Sequence, residues 1–322
     1  MARRGTSVAA VTGCAGFIGA PLVRALAKRH PDVHGVDLNA RAVGALRRPL
    51  GGSEVVFHLA ADPDVRNSTN HPFEHFDQNV MGTLAVLEGC RKHDVSRIVF
   101  PSTSTVYGDA KVVPTPESYA PLRPISVYGA GKLACEGLLS SFSATYGIDA
   151  VVLRFANVVG PGATHGVIPD LVDKLKRDPK RLEVLGDGRQ RKSYIHIDDL
   201  IRGILKAEGR APKGFQVYNV GSADTLVVDR IAGAVIRAMG LGRVEIVHKP
   251  APGGRGWAGD VKVMQLSIAR LGKLGYRPKY SSAQAVEAAA RAVAAERAGP
   301  TRGAREGLTR NNAPARTRGS VG

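Results

Sequence analysis

Apolar residues in this chain follow two rhythms. Short, mostly apolar runs predict strands buried on both faces: SVAAVT at 7–12, VHGVDL at 33–38, SEVVFHLAA at 53–61, SRIVFPS at 96–102 and DAVVLRFANVV at 149–159. Between them, longer stretches carry apolar residues three and four apart and predict helices. These are FIGAPLVRALAKRH at 17–30, stopped by Pro31, NVMGTLAVLEGCRKH at 79–93, and SVYGAGKLACEGLLSSFSATYG at 126–147, stopped by Gly147. Strands alternating with helices predict a parallel sheet covered on both faces, the doubly wound, Rossmann-like α/β class. Residues 1–160 form that domain.

After Gly160 the texture changes. Proline- and glycine-containing loops separate short elements: PDLVDKLKR, LEVLG, SYIHI, DDLIRGILKAEG, FQVYNVG and VVDRIAGAVIRAMG. Residues 161–298 are expected to build a smaller C-terminal lobe, some of whose segments can return to the main sheet. Ser282 can cap a last alanine-rich helix running to about Ala298, with Gly299-Pro300 as its stop. Residues 299–322 have little to bury and are expected to be a disordered basic tail. One gap is too short: fifteen residues, Leu38 to Gly52, lie between Asp37 of the second apolar run and the start of the third. They hold a helix and two turns but not an additional strand, so the third strand of a doubly wound sheet is expected to be missing.

Composition narrows the function classes. At 322 residues the chain suits two domains or one domain with a lobe, and no apolar run reaches membrane-spanning length. The start, MARRGTSVAAVTGCAGFIGA, has the charge and apolar order of a leader, but Gly13, Gly16 and Gly19 favour a structural role. Three scattered cysteines fit a reducing cytoplasm, with no disulfide framework and no metal site. The net charge of +17 is spread along the chain, because the tail at 299–322 contributes five arginines against one glutamate. Such a surface suits a substrate carrying a pyrophosphate. A nucleic-acid-binding module is the other reading, but no helix-turn-helix, zinc-finger or RNA-binding signature is present.

The chemistry sits at strand ends. Gly13, Gly16 and Gly19 occupy a G-x-x-G-x-x-G spacing between the first strand and first helix, where glycines let a pyrophosphate approach backbone amides at a helix N-terminus. Asp37 ends the second strand about twenty residues later, placed to accept hydrogen bonds from an adenosine ribose. That favours NAD, while Arg41 close by keeps NADP open. Ser102, Thr103, Ser104 and Thr105 end the SRIVFPS strand. Tyr128 precedes Lys132 by four residues, so phenol and ammonium share a helix face and the cation can lower the phenol pKa toward that of a useful base.

Taken in order, TGCAGFIG, FHLAA, NVMGTL, PSTSTVYG, SVYGAGK, LRFANVVGP, LGDGRQRKSYIHIDD and RGWAGD resemble the extended short-chain dehydrogenases. Within them, the match is to the NAD-dependent epimerase/dehydratase family of nucleotide-sugar enzymes, most nearly its UDP-glucose 4-epimerases. The resemblance runs from about Ser7 to Ala298. It implies that Tyr128 takes the proton of a sugar 4-hydroxyl while the C4 hydride passes to NAD, and that the 4-keto sugar turns before the hydride returns. Lys132 would hold the nicotinamide ribose, and Thr103 would hydrogen-bond the reacting oxygen. Ser102 and the backbone of Leu59, Ala60 and Ala61 would line the cofactor, with Asn79 in support and Phe155 against the nicotinamide. Phe17 and Ile18 of the glycine loop, and Leu38 and Asn39 after Asp37, would join that contact. Asn157, Arg191 or Lys192, Arg255 and Asp260 would meet the UDP-sugar, Arg255 standing in for a family arginine at the position of Trp257. A homodimer through the helices at 79–93 and 126–147 is implied in the same way. A 4,6-dehydratase normally carries an acidic pair after its catalytic threonine, and here Ser104 and Thr105 follow Thr103. Another nucleotide-sugar epimerase, a decarboxylase or dehydratase of the same superfamily, and a non-catalytic NAD-binding relative remain alternatives.

Overall fold

A computed structural model describes residues 8–30, 32–36, 50–257 and 259–298. The apolar runs form strands β1 (Val8–Thr12), β2 (Asp32–Val36), β3 (Val55–His58), β4 (Arg97–Thr103) and β5 (Asp149–Phe155). Strands β6 (Asn157–Val159), β7 (Arg181–Leu185), β8 (Arg191–Lys192) and β9 (Tyr194–His196) follow, then β10 (Phe215–Val220). The central sheet has the order β10-β5-β4-β3-β1-β2, and every neighbouring pair is parallel. The remaining strands, β11 (Leu226–Val227), β12 (Glu245–Lys249) and β13 (Val263–Met264), join β7 and β8 in small sheets beside it.

The helices are α1 (Gly19–Leu26), α2 (Asn67–Asn70), α3 (Pro72–Phe76), α4 (Gly82–Lys92), α5 (Val127–Tyr146), α6 (Val167–Arg177), α7 (Ile197–Arg210), α8 (Val228–Ala238), α9 (Ala269–Lys273) and α10 (Ser282–Ala298). Alternation along the strands sorts the core. Ala10, Val56, Ile98, Phe100 and Val152 face Leu87, Cys90, Cys135 and Leu139 of α4 and α5. Their neighbours Ala9, Val11, Phe57, Val99 and Leu153 face Leu22 and Leu26 of α1 and Leu200 and Ile204 of α7. Each fully buried large side chain, Phe57 or Phe100 for instance, contributes roughly 1.5–3 kcal/mol. A separate cluster lies under α6, α8 and α10 and includes Leu171, Val184, Ile231, Ala289 and Val293.

Several boundaries differ from those predicted. The run at 149–159 breaks at Ala156: the Ala156 amide still donates to Val220 of β10 at 2.9 Å, whereas the Asn157 amide turns to Ser193 at 3.3 Å. The second half, β6, therefore pairs with β9 outside the central sheet. FQVYNV returns to the central sheet as β10, beside β5. Ser281, not Ser282, caps α10, because its Oγ accepts from the Gln284 amide at 3.2 Å while Gln284 Oε1 accepts from the Ser281 amide at 2.9 Å. Ser282 instead accepts from the Tyr194 amide at 3.0 Å. Among the described residues β2 is the last strand on its side of the sheet. The segment expected to lack a strand lies, up to residue 49, outside the described residues, as do Asp37, Leu38, Asn39 and the tail.

Candidate active site

Parallel strands place their C-terminal ends on one edge, and Thr12, His58, Thr103 and Phe155 end β1, β3, β4 and β5 there. Above this edge lies a cavity of about 480 Å³. The glycine loop forms one wall, with Gly13, Gly16, Phe17, Ile18 and Gly19 all on the cavity. Gly13 has φ +69°, and a Cβ at Gly19 would stand 2.0 Å from the Gly13 carbonyl oxygen. The Gly13 amide donates to Val36 O at 2.8 Å, which ties the loop to β2. A turn this tight, opening α1, leaves room for a pyrophosphate to approach the backbone and fits NAD.

Tyr128, Lys132, Ser102 and Thr103 converge on the cavity with Leu59, Ala61, Phe155 and Asn157. Ser126 caps α5, its Oγ accepting from the Gly129 amide at 3.1 Å, and Gly147 ends the helix in the left-handed region at φ 72°. Tyr128 and Lys132 therefore stand one turn apart on a rigid helix. Burial pushes the Tyr128 phenol up, and a hydrogen bond with Thr103 pulls the other way. Cys135 and Asp62 also act on the phenol, but Lys132 is not among the groups that shift it. The Lys132 ammonium, 5% exposed, donates to Pro101 O at 3.0 Å and lies 4.6 Å from the Phe100 ring centre. Burial lowers its pKa to about 8. Thr103 Oγ1 accepts from the Thr105 amide at 3.1 Å.

Two hydrogen-bonded chains hold these groups. Thr83 donates to Asn79 O at 2.6 Å, so its oxygen is left to accept from His58 Nε2 at 3.1 Å. His58 Nδ1 is then the acceptor for Thr12 Oγ1 at 2.8 Å. Burial, and then the Lys132 charge, drive the His58 pKa down to about 3, which keeps the ring neutral. Asn79 does not line the cavity. It sits on a π-turn, Asp77–Met81, and clamps Asp62 from both sides, accepting from its amide at 2.8 Å and donating to its carbonyl at 3.0 Å. Ala60 likewise lies behind the wall, its amide donating to Thr12 Oγ1 at 3.2 Å.

The second chain starts at Ser102, which donates to Glu136 at 2.5 Å. Glu136 pairs with Arg154 at 2.6 Å, Arg154 donates to the Tyr107 hydroxyl at 2.9 Å, and that hydroxyl donates to Asn219 at 2.8 Å. Sequence reasoning missed this network. Its signal was a charged residue inside the apolar run VVLRF.

On the far wall the expected substrate residues divide. Lys192 and Asp260 line the cavity and pair with each other at 2.5 Å. Arg255 does not: its guanidinium grips Asp109 at 2.7 and 3.2 Å and the Asp260 carbonyl, because the chain turns it away from the cavity. Arg191 stands exposed on β8, whose alternation points Lys192 inward and Arg191 out. Trp257 takes part in the wall, with Arg66 at 5.7 Å and Lys192 at 5.4 Å from its ring centre. Gln190 is 2% exposed, lines the cavity, and has a buried Oε1 with no hydrogen-bond partner.

Residues 9–221 match the model of the NAD dependent epimerase/dehydratase family. The chain belongs to that family. It is similar to a crystal structure of UDP-galactose 4-epimerase, with 40% identity and a TM-score of 0.80 over 90% of this chain and 99% of the other. It is 30% identical to a putative UDP-glucose 4-epimerase of Methanocaldococcus jannaschii, covering 84% of this chain and 92% of that one. It is also 31% identical to a dTDP-glucose 4,6-dehydratase of Streptomyces griseus over 86% and 91% of the two chains. The protein is thus a nucleotide-sugar enzyme of the epimerase/dehydratase type with NAD as cofactor. Among the described residues no side-chain cluster could hold a metal ion, and no helix is long and apolar enough to cross a membrane.

Proposed function

We propose that the protein epimerises UDP-hexoses at C4. The observation that carries this reading is the meeting of Thr103, Tyr128 and Lys132 on the cavity wall, with Ser104 and Thr105, not carboxylates, following Thr103. Water elimination needs an acid at that place, so the site favours proton and hydride exchange without loss of a group. Gly13, Gly16 and Gly19 would hold the pyrophosphate of NAD, and Lys132 and Phe155 its nicotinamide end. Bound NAD supplies the hydride acceptor and, once reduced, the donor.

Tyr128 Oη exchanges the proton of the sugar 4-hydroxyl, and Thr103 Oγ1 fixes the direction of that oxygen. Because burial favours the neutral phenol, the base form depends on Thr103, which pulls the pKa back down. Asn157 and Lys192 would meet the nucleotide end from the wall they share. The reading carries a homodimer through α4 and α5, beside which Phe73 and Met81 stand exposed.

The test is to purify the protein, quantify NAD released on denaturation, and add UDP-galactose without cofactor. Formation of UDP-glucose supports the reading, and Tyr128→Phe is expected to slow it about 10²–10⁴-fold while UDP binding persists. Bound NAD with conversion only of a UDP-uronate or UDP-N-acetylhexosamine would move the substrate. A 4-keto-6-deoxy product would replace epimerisation by dehydration, and bound NAD with no product would favour a non-catalytic binder.

A further inference from the structure

The cavity wall formed by the 190–192 and 257–264 segments poses a charge problem. A UDP-sugar carries a diphosphate, yet the two basic residues expected to meet it are already engaged. Lys192 is neutralised by Asp260 at 2.5 Å, and Arg255 is held by Asp109 away from the cavity. Besides Lys192 and the buried Lys132, one further Lys or Arg among the described residues lines the cavity. Arg66, on the loop between β3 and α2, makes no ion pair among the described residues, and its guanidinium lies 5.7 Å from the centre of the Trp257 ring.

The loop that carries it is tightly held. Asn79 clamps Asp62, and Asp64 Oδ1 accepts from the Arg66 and Asn67 amides at 2.9 and 3.0 Å. Ser68, two residues on, accepts from the Tyr128 amide at 3.2 Å, which fixes the loop to the start of α5. Asp64 also lines the cavity, but its Oδ1 faces those amides. Arg66 therefore projects from the loop beside Tyr128 onto Trp257, which also lines the cavity.

We propose that Arg66, laid against Trp257, is a diphosphate ligand for the nucleotide sugar. A guanidinium on an indole face loses part of its rotational freedom before any ligand arrives, and its planar fork matches phosphate oxygens two at a time. Trp257 thus orients the fork. The substrate diphosphate is favoured over that of NAD because Arg66 meets Trp257, which lines the cavity with Lys192 and Asp260 on segments separate from the glycine loop. The assignment rests on the UDP-sugar reading, but its test needs no turnover.

The experiment titrates UDP, UMP and uridine by calorimetry into the protein as purified with its NAD. Arg66→Ala is expected to weaken UDP binding about 10- to 100-fold, the range for charge-assisted hydrogen bonds, to weaken UMP less, and to leave uridine unchanged. Arg66→Lys restores part of the loss, Trp257→Phe loses less than Arg66→Ala, and Arg191→Ala matches wild type. Unchanged UDP affinity in Arg66→Ala overturns the proposal, even if wild type turns over UDP-hexose. Three other results also overturn it: loss confined to UDP-glucuronate with UDP unaffected, loss of co-purified NAD with UDP unaffected, and no UDP binding by wild type. UDP binding that depends on Arg66 in a protein converting no UDP-hexose keeps the ligand assignment and rejects only the epimerase reading.

Discussion

Removing one carboxylate should test the network that joins β4, β5 and α5. Glu136 and Arg154 are each 4% exposed and pair at 2.6 Å, with a second contact at 3.0 Å through Arg154 Nε. Burial works against the Arg154 charge, yet Glu136 holds its pKa above the ordinary value. Glu136→Ala would leave that guanidinium in the core with Tyr107 and a distant Glu117 carbonyl as partners, and would strip Ser102 of its acceptor. Breaking a buried pair from one side costs about 3–5 kcal/mol, because an uncompensated charge stays behind. In a chain of this size that corresponds to roughly 4–7 °C in melting temperature. The assay is thermal and urea unfolding of NAD-free protein, with Glu88→Gln as control, since the Glu88–Arg91 pair is exposed. A double variant, Glu136→Met with Arg154→Met, should recover most of the loss by replacing the pair with apolar packing. If Glu136→Ala melts within about 2 °C of wild type, or the double variant is no more stable than the single, the buried-charge argument fails.

Three further outcomes follow from the site. Lys132 has a folded pKa of about 8 against an ordinary 10.5, so the folded state binds fewer protons between these values and stability rises with pH across that window. NAD-free wild type should gain up to about 3 kcal/mol from pH 8 to 10.5, and Lys132→Met should lack the gain in pH-resolved urea titrations. Gly19→Ala would push a methyl group onto the Gly13 carbonyl and should abolish co-purified NAD, whereas Gly137→Ala, with open space on α5, should stabilise by about 0.5–1 kcal/mol. The short segment between β2 and β3 should weaken NAD retention relative to family members with a longer one; equal dissociation constants by fluorescence titration would reject this.

What the sequence shows depends on how far apart the interacting residues lie. Gly13 to Gly19 and Tyr128 to Lys132 act within one turn or one loop, so spacing alone exposes them. The alternation of β1, α1, β4 and α5 is equally local. Arg66 and Trp257 meet across 191 positions, and Tyr107 meets Asn219 across 112, so nothing in the intervening residues marks either pair. Arg255 is expected at the diphosphate because the resemblance offers it in place of the family arginine at Trp257, and only the fold brings Asp109 to it. The exchange of β5 for β6 at Ala156 was hidden for another reason. An uninterrupted apolar run gives the same pattern whether it stays in one sheet or passes into another.

Helix α5 links the two hydrogen-bonded chains, and its register explains why. Tyr128, Lys132, Cys135 and Glu136 lie at i, i+4, i+7 and i+8, which places all four on one face. Cys135 Sγ touches Thr83 Oγ1 at 3.4 Å and Asn79 O at 3.5 Å, joining the chain that runs from Thr12 through His58. Glu136 joins the chain that runs from Ser102 to Asn219. The same face that presents the phenol and ammonium to the cavity is therefore anchored to β3 and α4 through a thiol and to β4 and β5 through a carboxylate. An axial slip of α5 by one residue would move the helix about 1.5 Å and break both anchors at once. The position of Tyr128 against Thr103 is thus set by contacts two turns further along the helix, where a substitution can alter the geometry of proton exchange without touching the cavity.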